Sequence, residues 1–223
     1  MATDALHDFR MVGSTSSGGG KFRAVRTTGE VVFTGDVTAE SCSFMGEVQV
    51  KGSLETRKLK LTGQCSVEQD LVLEQSGGVG QLAVGGSIRG GQLRLSGHVQ
   101  AGRSCEAEGM KLTGLVDVGE LISAEQLELS LHGNCQAREI GGGTVVVKRS
   151  QLSKIKSLLS LKEAGTMTCE LIEGDVVHLE YVTADLVRGA RVTIGNGCRI
   201  GRVEYRESLE RHPKATIGSE SRV

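Results

Sequence analysis

A glycine returns at every seventeenth position, as Gly46, Gly63, Gly80, Gly97 and Gly114, each at the same point of an alternating apolar pattern. Aligned on it, the flanking residues read Phe44-x-Gly46-x-Val48-x-Val50, Leu59-x-Leu61-x-Gly63-x-Cys65-x-Val67 and Met110-x-Leu112-x-Gly114-x-Val116-x-Val118. A further copy, Leu127-x-Leu129-x-Leu131-x-Gly133-x-Cys135-x-Ala137, carries its glycine two positions later than the interval places it, an insertion that leaves the pattern intact. Alternation with a period of two is the signature of a strand, since a helix would space its apolar residues by 3.6. At about 3.3 Å per residue, one such extended unit makes a loop of roughly 56 Å, one turn of a small triangular coil that stacks on its neighbours at about 4.8 Å. Alternate Leu, Val, Ile and Cys side chains then form a continuous inner column, and the Lys, Glu, Gln, Arg and Ser between them face water. A second series, Gly35, Gly52 and Gly86, marks another corner, where the backbone needs a positive φ or leaves no room for a Cβ.

Composition suits such a column. Of 223 residues 32 are glycine and one is proline, there is no tryptophan, and aromatic residues make up 3%. A narrow core is filled by aliphatic side chains, and proline would delete a ladder hydrogen bond. The scarcity of aromatic residues argues against carbohydrate or nucleic-acid stacking surfaces. With 26 basic and 27 acidic residues the net charge is -1, so nucleic acid is not an expected partner. The six cysteines form no CxxC pair, and Cys65 and Cys135 take places that Val48, Val99 and Val116 fill in other copies, so they read as core hydrophobes in a reducing compartment. Residues 1–20 lack the apolar core of a signal peptide, and no run approaches a membrane span, so the expected location is cytoplasmic.

Four regions follow. Residues 1–27 form a leader that ends in a Ser/Gly-rich stretch and is expected to be flexible, with a small apolar cluster at Leu6, Phe9, Met11 and Val12. Residues 28–148 are the β-helix core, about seven turns. Residues 149–165 break the alternation: Leu152, Ile155 and Leu159 lie at helical spacing among lysines, which reads as an excursion loop or a short amphipathic helix packed on the solenoid's side, with membrane or partner contact as the sharper reading. Residues 166–223 resume the coils and end in a tail.

Enzymatic chemistry is poorly represented. Ile194-Gly-Asn-Gly-Cys-Arg-Ile200-Gly201 matches the hexapeptide of left-handed β-helix acyltransferases, but the glycine period here does not keep their frame of three equal hexapeptides per turn. The histidines, His7, His98, His132, His178 and His212, are scattered; His98 follows its glycine and His132 precedes its own, which puts them on different faces and makes exposed, structurally neutral histidines the better account. Gly141-Gly142-Gly143 lacks the following helix that would hold a phosphate and reads as a turn. No catalytic residue, cofactor or metal site is expected.

A solenoid's end coils expose unpaired N–H and C=O groups over an apolar core, and neither terminus offers a convincing lid. Tip-to-tip stacking would continue the ladder into a filament that needs no nucleotide. Val31 and Phe33 at one end and Val203 and Tyr205 at the other are the candidate polymerisation contacts. These repeated units with corner glycines resemble the bactofilins, and Gly174-Asp-Val-Val-His-Leu-Glu-Tyr-Val-Thr-Ala-Asp-Leu-Val-Arg-Gly189 resembles the C-terminal coils of longer members. The resemblance implies an all-β fold, a right-handed parallel β-helix (β-solenoid) of about 17 residues per coil. It also implies a cytoskeletal scaffold that polymerises with itself, with room for a second bactofilin-like partner, and positions envelope, cell-shape or motility machinery at the inner face of the membrane. The alternatives are a hexapeptide-type acyltransferase and a non-polymerising adaptor solenoid.

Overall fold

The computed structural model describes residues 6–150 and 165–223. They form an all-β solenoid in one 14-stranded parallel sheet, with no helix among them. The strands are β1 (His7–Ser17), β2 (Gly20–Phe33), β3 (Val37–Val50), β4 (Leu54–Val67), β5 (Leu71–Val84), β6 (Ile88–Ala101) and β7 (Cys105–Val118). There follow β8 (Leu121–Leu131), β9 (Asn134–Gln136), β10 (Glu139–Arg149), β11 (Thr166–Leu179), β12 (Val182–Ile194), β13 (Arg199–Arg211) and β14 (Thr216–Arg222). Each strand pairs with the next along the path, and only β9 lies off it, pairing with β7 and β11. About twelve turns stack in this way, a column roughly 60 Å tall at the strand spacing.

The burial pattern divides each coil into three sides. In β4 the inward residues come in pairs, Leu54 with Thr56, Leu59 with Leu61, and Cys65 with Val67, separated by outward bends. Parallel register aligns these pairs from coil to coil. One column runs Val37, Leu54, Leu71, Ile88, Cys105 and Ile122, then on through Ile140, Ile172 and Val187 to Val203. Every one of these side chains is fully buried, so the apolar alternation is converted directly into a dry core.

The periodic glycine marks one corner and has a positive φ in every coil from β2 to β7, for example 112° at Gly46 and 122° at Gly63. The column is longer than the sequence period suggests, since Gly29 (116°) and Gly13 (108°) stand above Gly46 in register. A Cβ on Gly63 would run into the Gly46 carbonyl oxygen of the coil above, so glycine is required twice over, for its dihedral and for its lack of bulk. The second series works differently. Gly35 and Gly52 are not left-handed; a Cβ on Gly35 would lie 2.6 Å from the Gly18 carbonyl oxygen, and one on Gly52 would strike the Asp36 carboxylate. Asp36 is there because its Oδ1 accepts the Ser53 N–H at 2.8 Å, and Asp70 does the same for Ser87 at 2.7 Å.

Two expectations change. Of residues 1–27, read as flexible leader, 7–17 are β1, paired with β2 along its length, and 20–27 open β2 itself. The polar Ser14–Ser17 stretch hides the strand, whose ladder is made with a neighbour and needs no apolar alternation of its own. Gly141–Gly143 lie inside β10 instead of forming a turn. The interruption read at 149–165 falls at the glycine corner: Arg149 pairs with Leu131 and Thr166 with Asn134, so the ladder is left and rejoined there, with an insertion in sequence relative to the coil before. Leu152, Ile155 and Leu159 lie outside the described residues.

Candidate assembly interface

The two ends of the column are built from different residues. At the N-terminal end the inward positions of β1 carry Phe9, Met11, Thr15 and Ser17, all half-buried. Phe9 packs on Phe33 (centroids 5.3 Å apart) and edge-on to Phe22 (5.6 Å), and His7 stands edge-on to Phe22 at 5.2 Å. Three of the four phenylalanines thus plug this end, and the fourth, Phe44, is buried one coil below. A column whose stacked neighbours run out on one side needs wide side chains to close it, and aromatic rings supply that volume with ordered edge-to-face contacts.

At the C-terminal end three of the inward columns finish on charge, and two finish on Leu209 and Ile217. Ile194 is covered by Arg211, Val203 by Glu220 and Tyr205 by Arg222. Arg211 and Glu220 approach to 3.6 Å. Tyr205, Leu209 and Ile217 remain partly buried against the core. Inward-facing charges at a sheet edge weaken indiscriminate strand addition, so this rim is the more guarded of the two.

Of the residues expected to make the contact, Val31 and Phe33 are 1% and 0% exposed, one coil in from the end, because Thr15 and Ser17 of β1 lie over them. Val203 is 0% exposed beneath Glu220. Only Tyr205 retains partial exposure. The outward rim at the N-terminal end therefore belongs to Phe9 and Met11, and an arginine at Phe33 would disrupt the core before it reached any junction. The missed signal is Gly13, one position short of a full glycine period before Gly29, which extends the glycine column by one more coil.

The remaining candidates are structural. All six cysteines are free and buried, and desolvation pushes the Cys65, Cys105 and Cys169 thiols up to about 12, where they stay protonated and unreactive. Cys135 accepts the Val116 N–H at 3.3 Å and donates to the Gly114 carbonyl at 3.5 Å. His7 and His212 are exposed, whereas His98, His132 and His178 are half-buried on outward or corner positions, which corrects their reading as uniformly exposed. No group of three or more metal-ligating side chains occurs among the described residues. Ile194–Ile200 is a corner of the solenoid, with Gly197 at φ 73° and both isoleucines buried. A groove of about 770 Å³ passes over the stacked Gly142, Gly174 and Gly189, and its charges are mostly paired, Arg188 with Glu204 at 2.6 Å and Arg206 with Asp175 at 2.9 Å.

These features define the class: a parallel β-solenoid with exposed strand edges at its two ends. No protein-family model matches the chain, and no solved structure matches it. Two Bacillus subtilis (strain 168) proteins are similar over part of their length: uncharacterized protein YhbF, 39% identical over 92 residues, and uncharacterized protein YhbE, 37% identical over 93 residues. Each match covers 41% of this chain and 37% or 38% of the relative. No helix among the described residues is long and apolar enough to cross a membrane.

Proposed function

We propose that the protein is a filament-forming cytoskeletal scaffold that assembles without nucleotide, by end-to-end stacking of its solenoids, and positions cell-envelope, cell-shape or motility machinery. One observation carries this reading. The ladder stops without closing: β1 bonds only to β2, β14 bonds only to β13, and among the described residues nothing covers either outer edge. A free strand edge is a template for another strand, and a second copy supplies one of matching width and spacing. Phe9 and Met11 add an apolar rim that gains from burial at such a junction. The resemblance to bactofilins supports the same reading, with self-association as the primary interaction and a second solenoid of the same kind as a further partner.

Electron microscopy of the purified protein over a range of concentrations, with neither ATP nor GTP, tests it. Filaments are expected above a threshold concentration. A monodisperse monomer at every concentration would favour an adaptor solenoid instead, and a compact trimer would favour the hexapeptide-transferase alternative.

A further inference from the structure

The near-neutral net charge conceals a strongly one-signed side. The side of the coil that ends at the glycine corner presents three outward columns, those of Lys58, Lys60 and Thr62 in β4. From β2 through β8 and on to β10, these columns hold six cations, Arg26, Lys58, Lys60, Arg94, Lys111 and Lys148, and a single carboxylate, Glu128. Glu128 is bound by Lys111 at 2.8 Å and Lys148 at 2.7 Å, and those two lysines hold its carboxyl below the usual range. Arg26, Lys58, Lys60 and Arg94 are exposed and have no carboxylate partner among the described residues.

The next side, beyond the glycine, is the reverse. Its two main outward columns in β2 to β7 contain Glu30, Glu47 and Asp117 and no lysine or arginine. The third side mixes both signs and pairs some of them, Arg57 with Glu74 at 3.1 Å and Arg89 with Glu106 at 3.8 Å, while Glu40, Glu55, Glu108 and Glu125 make no ion pair among the described residues. Charge is therefore segregated by side, and one side is left with cations that the described part of the protein does not neutralise.

We propose that this basic side docks the solenoid on an anionic phospholipid surface. Three observations favour a bilayer over other polyanions. The side runs unbroken in register through eight coils, about 34 Å tall at the strand spacing, so its cations recur along one line that an extended surface can meet at several points. Within the field of cations stand two exposed apolar side chains, Met45 at 55% and Val79 at 64% exposure, in the column next to the glycine corner. Basic residues around a few projecting apolar ones is the composition that holds peripheral proteins at the headgroup boundary. Among the described residues no aromatic ring lies on this side to stack on bases, because Phe9, Phe22, Phe33 and Phe44 all occupy inward positions. A recess of about 600 Å³ over Gly109 is bordered by Arg94, Lys111, Lys148 and Glu128, and gives a headgroup phosphate a place to enter beside Arg94, the cation there that Glu128 does not bind. Single solenoids and stacked ones present the same side, so the proposal does not rest on the filament reading, although stacking would multiply the contacts.

Flotation of the full chain with vesicles tests it, since protein polymers sink while vesicle-bound protein rises. Phosphatidylcholine vesicles and vesicles containing about one third phosphatidylglycerol are compared, at about 0.1 M and about 0.5 M salt, where screening differs strongly. The wild type is expected to float with the anionic vesicles at low salt only. The triple variant Lys58→Glu, Lys60→Glu, Arg94→Glu, altered only at exposed outward positions, is expected to lose at least tenfold in bound fraction while its thermal unfolding and its filaments in micrographs stay unchanged. Equal flotation of variant and wild type, equal flotation with neutral vesicles, or no flotation of the wild type would overturn the proposal. Binding of a labelled DNA duplex that the triple variant loses, without flotation of the wild type, would assign the side to nucleic acid and overturn it equally. Loss of filaments with flotation intact would count against the scaffold reading alone.

Discussion

The coils before Ser150 and those after Gly165 turn the same corner by different means. From β2 to β8 each coil is displaced by one constant period, as in Val37, Leu54, Leu71 and Ile88, and from β2 to β7 a left-handed glycine sits at the corner every time. Beyond the insertion the step varies: Met167 aligns with Val182, Thr183 with Arg199 and Arg199 with Thr216, so the first two steps fall short of the period and only the third restores it. There Gly197, at φ 73°, still puts a left-handed glycine at one corner, but the same corner one coil earlier is made by Tyr181, a non-glycine residue at φ 57°. The Arg149 guanidinium lies 3.3 Å over its ring, and its hydroxyl accepts a hydrogen bond from the Asn196 amide at 2.8 Å. A bare backbone conformation suffices where the repeat is regular. Where the glycine is missing, at Tyr181, side-chain contacts hold the turn.

The largest expected effect comes from the regular half. Gly63→Ala combines left-handed strain of about 1–2 kcal/mol with a collision against the Gly46 carbonyl. It should cost about 3 kcal/mol or more in denaturant unfolding. Gly141→Ala, in β10, whose new Cβ meets nothing closer than Ser123 Oγ at 4.0 Å, should stay within about 0.5 kcal/mol of wild type. Equal costs would break the contrast between a required and an optional glycine.

The two rims give the next test. Met11→Arg puts a charge on the apolar N-terminal rim and should raise the critical concentration for assembly at least tenfold, about 1.4 kcal/mol. Glu220→Ser, on the rim already charged, should change it by less than about threefold. Light scattering against concentration reads both, and a larger effect at Glu220 would reverse the assignment of the stickier end.

Smaller effects follow at single polar atoms. Tyr181→Phe removes the bond to Asn196 and should cost about 1 kcal/mol, localised by hydrogen exchange to the corner near β11 and β12. In the other half Thr27 Oγ1 is buried with no hydrogen-bond partner. Thr27→Val keeps the shape and should stabilise by about 1 kcal/mol in thermal unfolding; destabilisation would mean that the hydroxyl is satisfied in solution.

Regular coils are legible in the sequence because their requirement is local: a residue that must be glycine recurs at a fixed period, and alternating residues must be apolar. Val31, Phe33 and Val203 are misplaced by that reading because burial at an end depends on how many coils lie beyond, and β1 announces itself only by Gly13 and Gly29. Tyr181 gives no sequence signal, since its dihedral is imposed by Arg149 and Asn196 from other coils. The basic side escapes a reading by net charge, yet Arg26, Lys60, Arg94 and Lys111 stand two, two and then one full glycine period apart. Charges read on the glycine period, and not summed over the chain, reveal it.

Fibre diffraction from aligned assemblies of the purified protein tests the stacking of open ends most directly. Coaxial stacking predicts a reflection near 4.8 Å along the filament axis, together with an axial subunit spacing of about 60 Å. Assemblies with that strand spacing perpendicular to their long axis, or a protein that remains monomeric at every concentration, would contradict it.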